Sequence, residues 1–119
     1  MALTVNGKTI ETDDLGYLAN PEDWDEDVAR ALAEEEGIEL TEEVWELIRF
    51  FRDYYEEHMG VHPTMHKLLL MREKRQGTDY ETEKAYRDYL WKLFPKGPIQ
   101  TLSKLAGLPS SGAVEETEE

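Results

Sequence analysis

The chain has 119 residues, of which 39% are apolar and 34% charged, with a formal net charge of −14 and no cysteine. That length suits one compact domain, and the apolar fraction with 3 Trp, 6 Tyr and 3 Phe can fill a core without disulfides or metal. The missing cysteine excludes persulfide chemistry, thiol redox and thiolate ligation, because no other side chain supplies a thiolate.

The charge is uneven. Residues 1–66 carry 4 basic and 18 acidic side chains, residues 67–104 carry 9 and 5, and residues 105–119 carry 4 acidic and none basic. An acidic body repels phosphate backbones at long range, so nucleic-acid binding is disfavoured from the start. The opening "MALTVNGKTIE" has no basic stretch followed by an apolar one, and no apolar run approaches the roughly 18 residues that span a bilayer, so a cytoplasmic protein without a membrane partner is expected.

In chain order, "LTVNGKTIE" places Asn6-Gly7 between two short alternating segments, the signal for a two-residue hairpin whose turn needs positive φ at both central residues. "ANPEDWDEDVARALAEEEGIEL" follows, with Asn20 as the expected N-cap, Pro21 at the first helical position and acidic residues complementing the helix dipole. Trp24, Val28 and Leu32 are expected on one face. Gly37 is the expected left-handed terminator, and Thr41 the next N-cap.

From Glu42 to His58 the apolar positions Val44, Leu47, Ile48, Phe51, Tyr54 and Tyr55 recur at helical spacing, which predicts the central core helix. "MGVHPT" breaks it, and "MHKLLLMREKR" predicts a helix with Leu68 and Leu69 inward and Lys67, Arg72, Lys74 and Arg75 outward, a pair resembling a helix-turn-helix. "QGTDYETE" reads as a polar loop, and "KAYRDYLWKLF" as a helix with Tyr86, Tyr89, Leu90 and Leu93 on one face, stopped by Pro95. "GPIQTLSKLAGLP" predicts a short helix opened by Pro98, with Ile99, Leu102 and Leu105 along one side. Gly107 should terminate it and Leu108 fold over Leu102. "SSGAVEETEE" is too poor in apolar surface to offset its ordering entropy. A single domain over 1–109 with a flexible acidic arm over 110–119 is the expectation.

Several separated motifs carry a resemblance: Gly16-Tyr17-Leu18, Asp23-Trp24, Ile38 to Glu42 with Trp45, and "LFPKGPIQTLSKLAGLP" with Leu93-Phe94-Pro95, Gly97-Pro98 and Ala106-Gly107-Leu108-Pro109. In this order they resemble the DsrC/TusE/DsvC sulfur-carrier family, which includes the gamma subunit of dissimilatory sulfite reductase, over roughly residues 3–114. The resemblance implies an α+β, mostly α fold: a small N-terminal β-hairpin packed on a bundle of about five helices, one pair helix-turn-helix-like, with a flexible C-terminal arm. It also implies a docking motif over Phe94, Pro95, Gly97, Pro98, Lys104, Gly107, Leu108 and Pro109.

In that family a cysteine near the end of the arm bears a persulfide, and in sulfite-reducing members a second cysteine on the preceding short helix can pair with it. Here those positions match Ala113 and Ser103. A serine hydroxyl has no accessible anion near neutral pH and alanine has no reactive atom, so this chain cannot carry sulfur in the family manner. Gln100 and Ser110 stand where the family has lysines, the arm is one residue shorter, and Glu115, Glu116, Thr117, Glu118 and Glu119 extend it. If the family's arm enters a positively lined channel of sulfite reductase, as the resemblance implies, such an acidic extension would be tolerated electrostatically but would collide sterically.

Other candidates have plainer readings. His58, His62 and His66 share a four-residue spacing, but Gly60 and Pro63 interrupt the helix that would align them on a metal, so no metal or other cofactor is expected. The acidic runs read as solvated helix faces, and Ser103 lacks a plausible His or Lys partner nearby in sequence to activate it. Lys67, Arg72, Lys74 and Arg75 are the possible nucleic-acid contacts, although base readout needs more than cations.

The sequence therefore points to a non-enzymatic DsrC-like protein of sulfur metabolism. It would act as a regulatory or competing partner of sulfur-relay proteins or sulfite reductase subunits. A helix-turn-helix regulator of transcription and a degenerate TusE-like scaffold in tRNA 2-thiolation are the alternatives.

Overall fold

A computed structural model describes residues 2–69 and 80–110, with only the backbone for 80–83. Strands β1 (Ala2–Val5) and β2 (Lys8–Glu11) pair antiparallel with Leu3 opposite Ile10 and Val5 opposite Lys8. Asn6 and Gly7 both take positive φ, 52° and 79°, as the Asn-Gly signal requires. The alternation buries Val5 and Ile10 on one face. Asp13 Oδ1 then accepts from the amides of Leu15 and Tyr17, and the turn it makes returns the chain to pair Thr12 with Leu18.

The next segment corrects the expectation. Asn20 caps only a single 3-10 turn, Pro21–Asp23, and Trp24 leaves it in extended conformation. Asp25 is the true N-cap of α1 (Glu26–Glu36), its carboxylate accepting from the Val28 amide at 2.8 Å. Trp24 thus precedes the helix and does not share the face of Val28 and Leu32. Two acceptors five residues apart compete for the helix start, and Asp25 wins because its helix can run on to Gly37, which ends it at φ 71°.

Helix α2 (Glu42–Glu57) is capped by Thr41 and buries Val44, Leu47, Ile48 and Phe51, while Tyr54 and Tyr55 are half-buried at its end. Residues 65–69 are helical, with Met65, Leu68 and Leu69 buried and Lys67 exposed. Arg72, Lys74 and Arg75 lie outside the described residues, as does most of the second helix of the expected pair.

Helix α3 (Tyr80–Leu93) begins four residues before Lys84, inside the stretch read as a loop. It buries Tyr86 and Leu90, whereas Tyr89, expected inward, is 41% exposed. Its hydroxyl donates to Glu43 Oε1 at 2.8 Å and ties α3 to the start of α2. That bond to a carboxylate pushes the Tyr89 pKa up. After buried Phe94, the turn at 95–97 leads to α4 (Pro98–Leu105), with Pro98 at its start and Ile99, Leu102 and Leu105 in the core.

One apolar cluster joins the hairpin, all four helices and residues 65–69. The architecture is the expected one, a two-stranded hairpin on a predominantly helical body. Asp25→Ala should lower unfolding free energy by about 1 kcal/mol, and Asn20→Ala by less because it releases only one short turn. Equal losses in urea titrations would contradict the assignment of the cap.

Candidate functional site

The motif residues gather at the C-terminal end of α4, and the geometry there follows from backbone carbonyls that need donors. The helix ends in a left-handed Gly107 at φ 74°. The Gly107 amide donates to Lys104 O at 3.0 Å and the Leu108 amide to Ser103 O at 2.9 Å, the paired bonds of a Schellman ending, with Leu108 buried as expected. The Ala106 amide donates to Leu102 O at 2.9 Å.

Side chains from distant elements serve the remaining carbonyls. Trp24 Nε1 donates to Leu105 O at 2.8 Å, and Arg52 Nη1 of α2 donates to Ala106 O at 2.6 Å. The Arg52 guanidinium also lies 4.2 Å from the Trp24 ring centre, a cation–π stack that fixes both donors. Burial pulls the Arg52 pKa down against the opposing pull of Glu56 and Asp53, yet it remains a cation at neutral pH. Beyond the helix, His62 faces Pro109 O at 2.7 Å through Nε2. A carbonyl oxygen only accepts, so Nε2 carries the proton. Every carbonyl from Leu102 to Ala106 is matched, and the root of the arm is pinned three residues further on.

Glycine at 107 is required twice. Its φ lies where side chains are disfavoured, and a Cβ would come within 2.5 Å of the Trp24 side chain. The Trp24 indole therefore packs directly on the glycine backbone while bonding the preceding turn.

The opposite side of α4 is held by Lys104. Its ammonium lies 3.0 Å from Glu36 Oε2, with the two side chains only 14% and 15% exposed, and 5.2 Å from the Tyr17 ring centre. Glu36 belongs to the "EEE" run read as solvated, and for this residue that reading is wrong: the paired Lys104 compensates its burial. The Tyr17 hydroxyl reaches Gln100 O at 3.4 Å. Gly16 takes φ 93° in the 12–18 turn, a conformation that favours glycine, beside the Lys104 stem.

Ser103 sits inside this frame at 1% exposure, and its Oγ has no hydrogen-bond partner. Among the described residues no base hydrogen-bonds to it, as activation of a serine nucleophile would require. Ala113 lies outside the described residues. Phe94, Pro98, Gly107 and Leu108 are buried, Lys104 and Pro109 half-buried, and Pro95 exposed on the turn before buried Gly97. Among the described residues no group of three or more His, Asp or Glu could hold a metal ion, and no helix is long and apolar enough to cross a membrane.

Sequence reasoning missed Arg52, His62, Tyr17 and Glu36 as parts of this site. Arg52 and His62 lie 54 and 47 positions from the carbonyls they serve, and no local pattern announces such pairs. The one available signal was that the short helix ending in "AGLP" must find donors for its last carbonyls.

A hairpin-and-helix body that clamps a short helix and the root of a C-terminal segment defines a small α+β, mostly α fold, and the comparisons identify which. The sequence matches the family described as DsrC like protein over residues 4–113. It is 45% identical over 107 residues to sulfurtransferase TusE of Yersinia pestis, covering 90% of this chain and 94% of that protein. Identity to sulfurtransferase TusE of Escherichia coli (strain K12) is 43% over 107 residues, with the same coverages. Among solved structures, the oxidized gamma subunit of the dissimilatory sulfite reductase (DsrC) from Archaeoglobus fulgidus superposes with a TM-score of 0.79 at 39% identity. Allochromatium vinosum DsrC superposes at 0.78 with 40% identity, each over 96% of this chain and 100% of the other. The chain belongs to the DsrC family, as the motifs had implied, and within it this member has no cysteine.

Two substitutions test the site. Gly107→Ala should cost at least about 2 kcal/mol of stability, since a left-handed side chain and a displaced indole add. Ser103→Ala should be neutral or raise stability by about 1 kcal/mol, because it removes an unpaired buried hydroxyl. A loss on Ser103→Ala in denaturant titrations would show that Oγ has a partner.

Proposed function

We propose that this protein is a non-catalytic member of the DsrC family that works by docking: a regulatory or competing partner of the sulfur-relay proteins or sulfite reductase that bind its cysteine-bearing relatives. The observation that carries this reading is that the carbonyls from Leu102 to Ala106 and that of Pro109 each have a donor, while residue 103 is a buried serine. Competition needs the surface that the Phe94 to Pro109 segment shapes, where Pro95 and Lys96 are exposed and Lys104 and Pro109 half-buried, and does not need the sulfur atom.

A second reading is a TusE-like scaffold in tRNA 2-thiolation, favoured by relatives named sulfurtransferase TusE at 43–46% identity. It too involves docking without transfer, and differs in the sign of its effect on the relay.

The test is sulfur transfer through purified Escherichia coli TusE and its reconstituted donors and acceptors. Added in molar excess, this protein should slow transfer several-fold, and additional TusE should restore it. Acceleration would select the scaffold reading. No effect at any excess would contradict both for that relay.

A further inference from the structure

The loop that supplies His62 has a second feature that the arm mount does not use. Helix α2 ends in another Schellman-type turn, in which the Gly60 amide donates to Tyr55 O at 2.8 Å. Here the left-handed position that favours glycine is occupied by Met59, at φ 53°. Its side chain is 96% exposed, so no packing against the described residues repays the unfavourable backbone, and Val61 two residues on is 55% exposed.

This tip is rigid. His58 stacks on Tyr54 with ring centres 3.8 Å apart and its Nδ1 lies 2.9 Å from Tyr54 O. His62 packs edge-on against Tyr55 at 5.2 Å while holding Pro109. Gly60 lies over the Tyr55 ring, so a Cβ there would sit 3.7 Å from it. Two apolar side chains are thus presented to solvent on a buttressed loop, the pre-ordered arrangement that lowers the entropic cost of association. The adjacent exposed side chains of α2 are Asp53, Glu56 and Glu57, three carboxylates beside the two apolar ones.

We propose that the 59–61 tip is a docking element whose occupant is a protein partner presenting an apolar socket rimmed by lysine and arginine. Met59 and Val61 enter the socket, and the flanking carboxylates face the rim. Methionine suits the role because its flexible, polarisable side chain adapts to a socket that the loop itself cannot reshape. The inference rests on the docking reading above and assigns it a contact surface. His62 joins that surface to the arm root through one ring.

The probe is Archaeoglobus fulgidus dissimilatory sulfite reductase freed of its gamma subunit, titrated with this protein, with Met59→Asn, with Met59→Leu and with Val61→Ser. Asparagine tolerates the left-handed backbone, so Met59→Asn should keep or raise the thermal midpoint while weakening binding by about tenfold or more. Val61→Ser should also weaken it, and Met59→Leu should retain it. Binding of the unmodified protein should fall as salt rises, as a charged rim requires.

Unchanged affinity for both Met59→Asn and Val61→Ser would overturn the tip while leaving the docking reading intact. Failure of the unmodified protein to bind the reductase would count against that reading for this partner and remove the tip with it. Self-association in sedimentation that Met59→Asn abolishes would assign the tip to a second copy and overturn the proposed occupant.

Discussion

The structure depends on the need to satisfy the carbonyls at the end of an eight-residue helix. A helix this short cannot stand alone, and α4 does not: the Trp24 indole and the Arg52 guanidinium come from separate parts of the chain to close its end, and the His62 imidazole holds Pro109 beyond it. Meeting that need fixes the other parts. The 3-10 turn must deliver Trp24 before α1 begins, α2 must be long enough to bring Arg52 over the indole, and the 58–63 loop must return to the arm root. Gly107 is where these demands meet, because only a residue without Cβ lets the indole lie on the backbone it bonds.

This explains how the family shape persists without the family's chemistry. Ser103 points an unpaired hydroxyl into the core and contributes no bond to the mount, so the clamp does not use the side chain at that position. Replacing a thiol there alters reactivity and leaves the backbone accounting untouched. The Lys104–Glu36 pair on the opposite side is likewise indifferent to residue 103, since it secures α4 to the end of α1 through charges of its own. A body held in this way can keep a docking shape, and docking is the function proposed for it.

Much of the fold was legible because local rules decide it. Asn6-Gly7 forms the hairpin turn, Thr41 and Gly37 bound their helices, the Val44 to Phe51 periodicity marks the central helix, and Gly107-Leu108 closes α4. The misreadings arose where two local signals competed or where a partner distant in sequence intervened. Asn20 lost the helix start to Asp25, and Tyr89 turned outward to reach Glu43. Glu36 belongs to an acidic run that composition marks as solvated, and it is half-buried in a pair with the distant Lys104. The family motifs located the site along the chain. They could not reveal Arg52 or His62, whose roles depend on a tertiary arrangement that no spacing encodes.

The most direct measurement is amide hydrogen exchange at Gly107 and Leu108, in the unmodified protein and in Trp24→Phe, which keeps an aromatic ring but removes the donor to Leu105. In the unmodified protein both amides should exchange only with global unfolding, at the level of the α2 core. In Trp24→Phe they should open locally while α2 stays protected. Exchange at these amides near unstructured-chain rates in the unmodified protein would show that the arm mount is not held, and the account of a docking shape preserved without its thiol would fail.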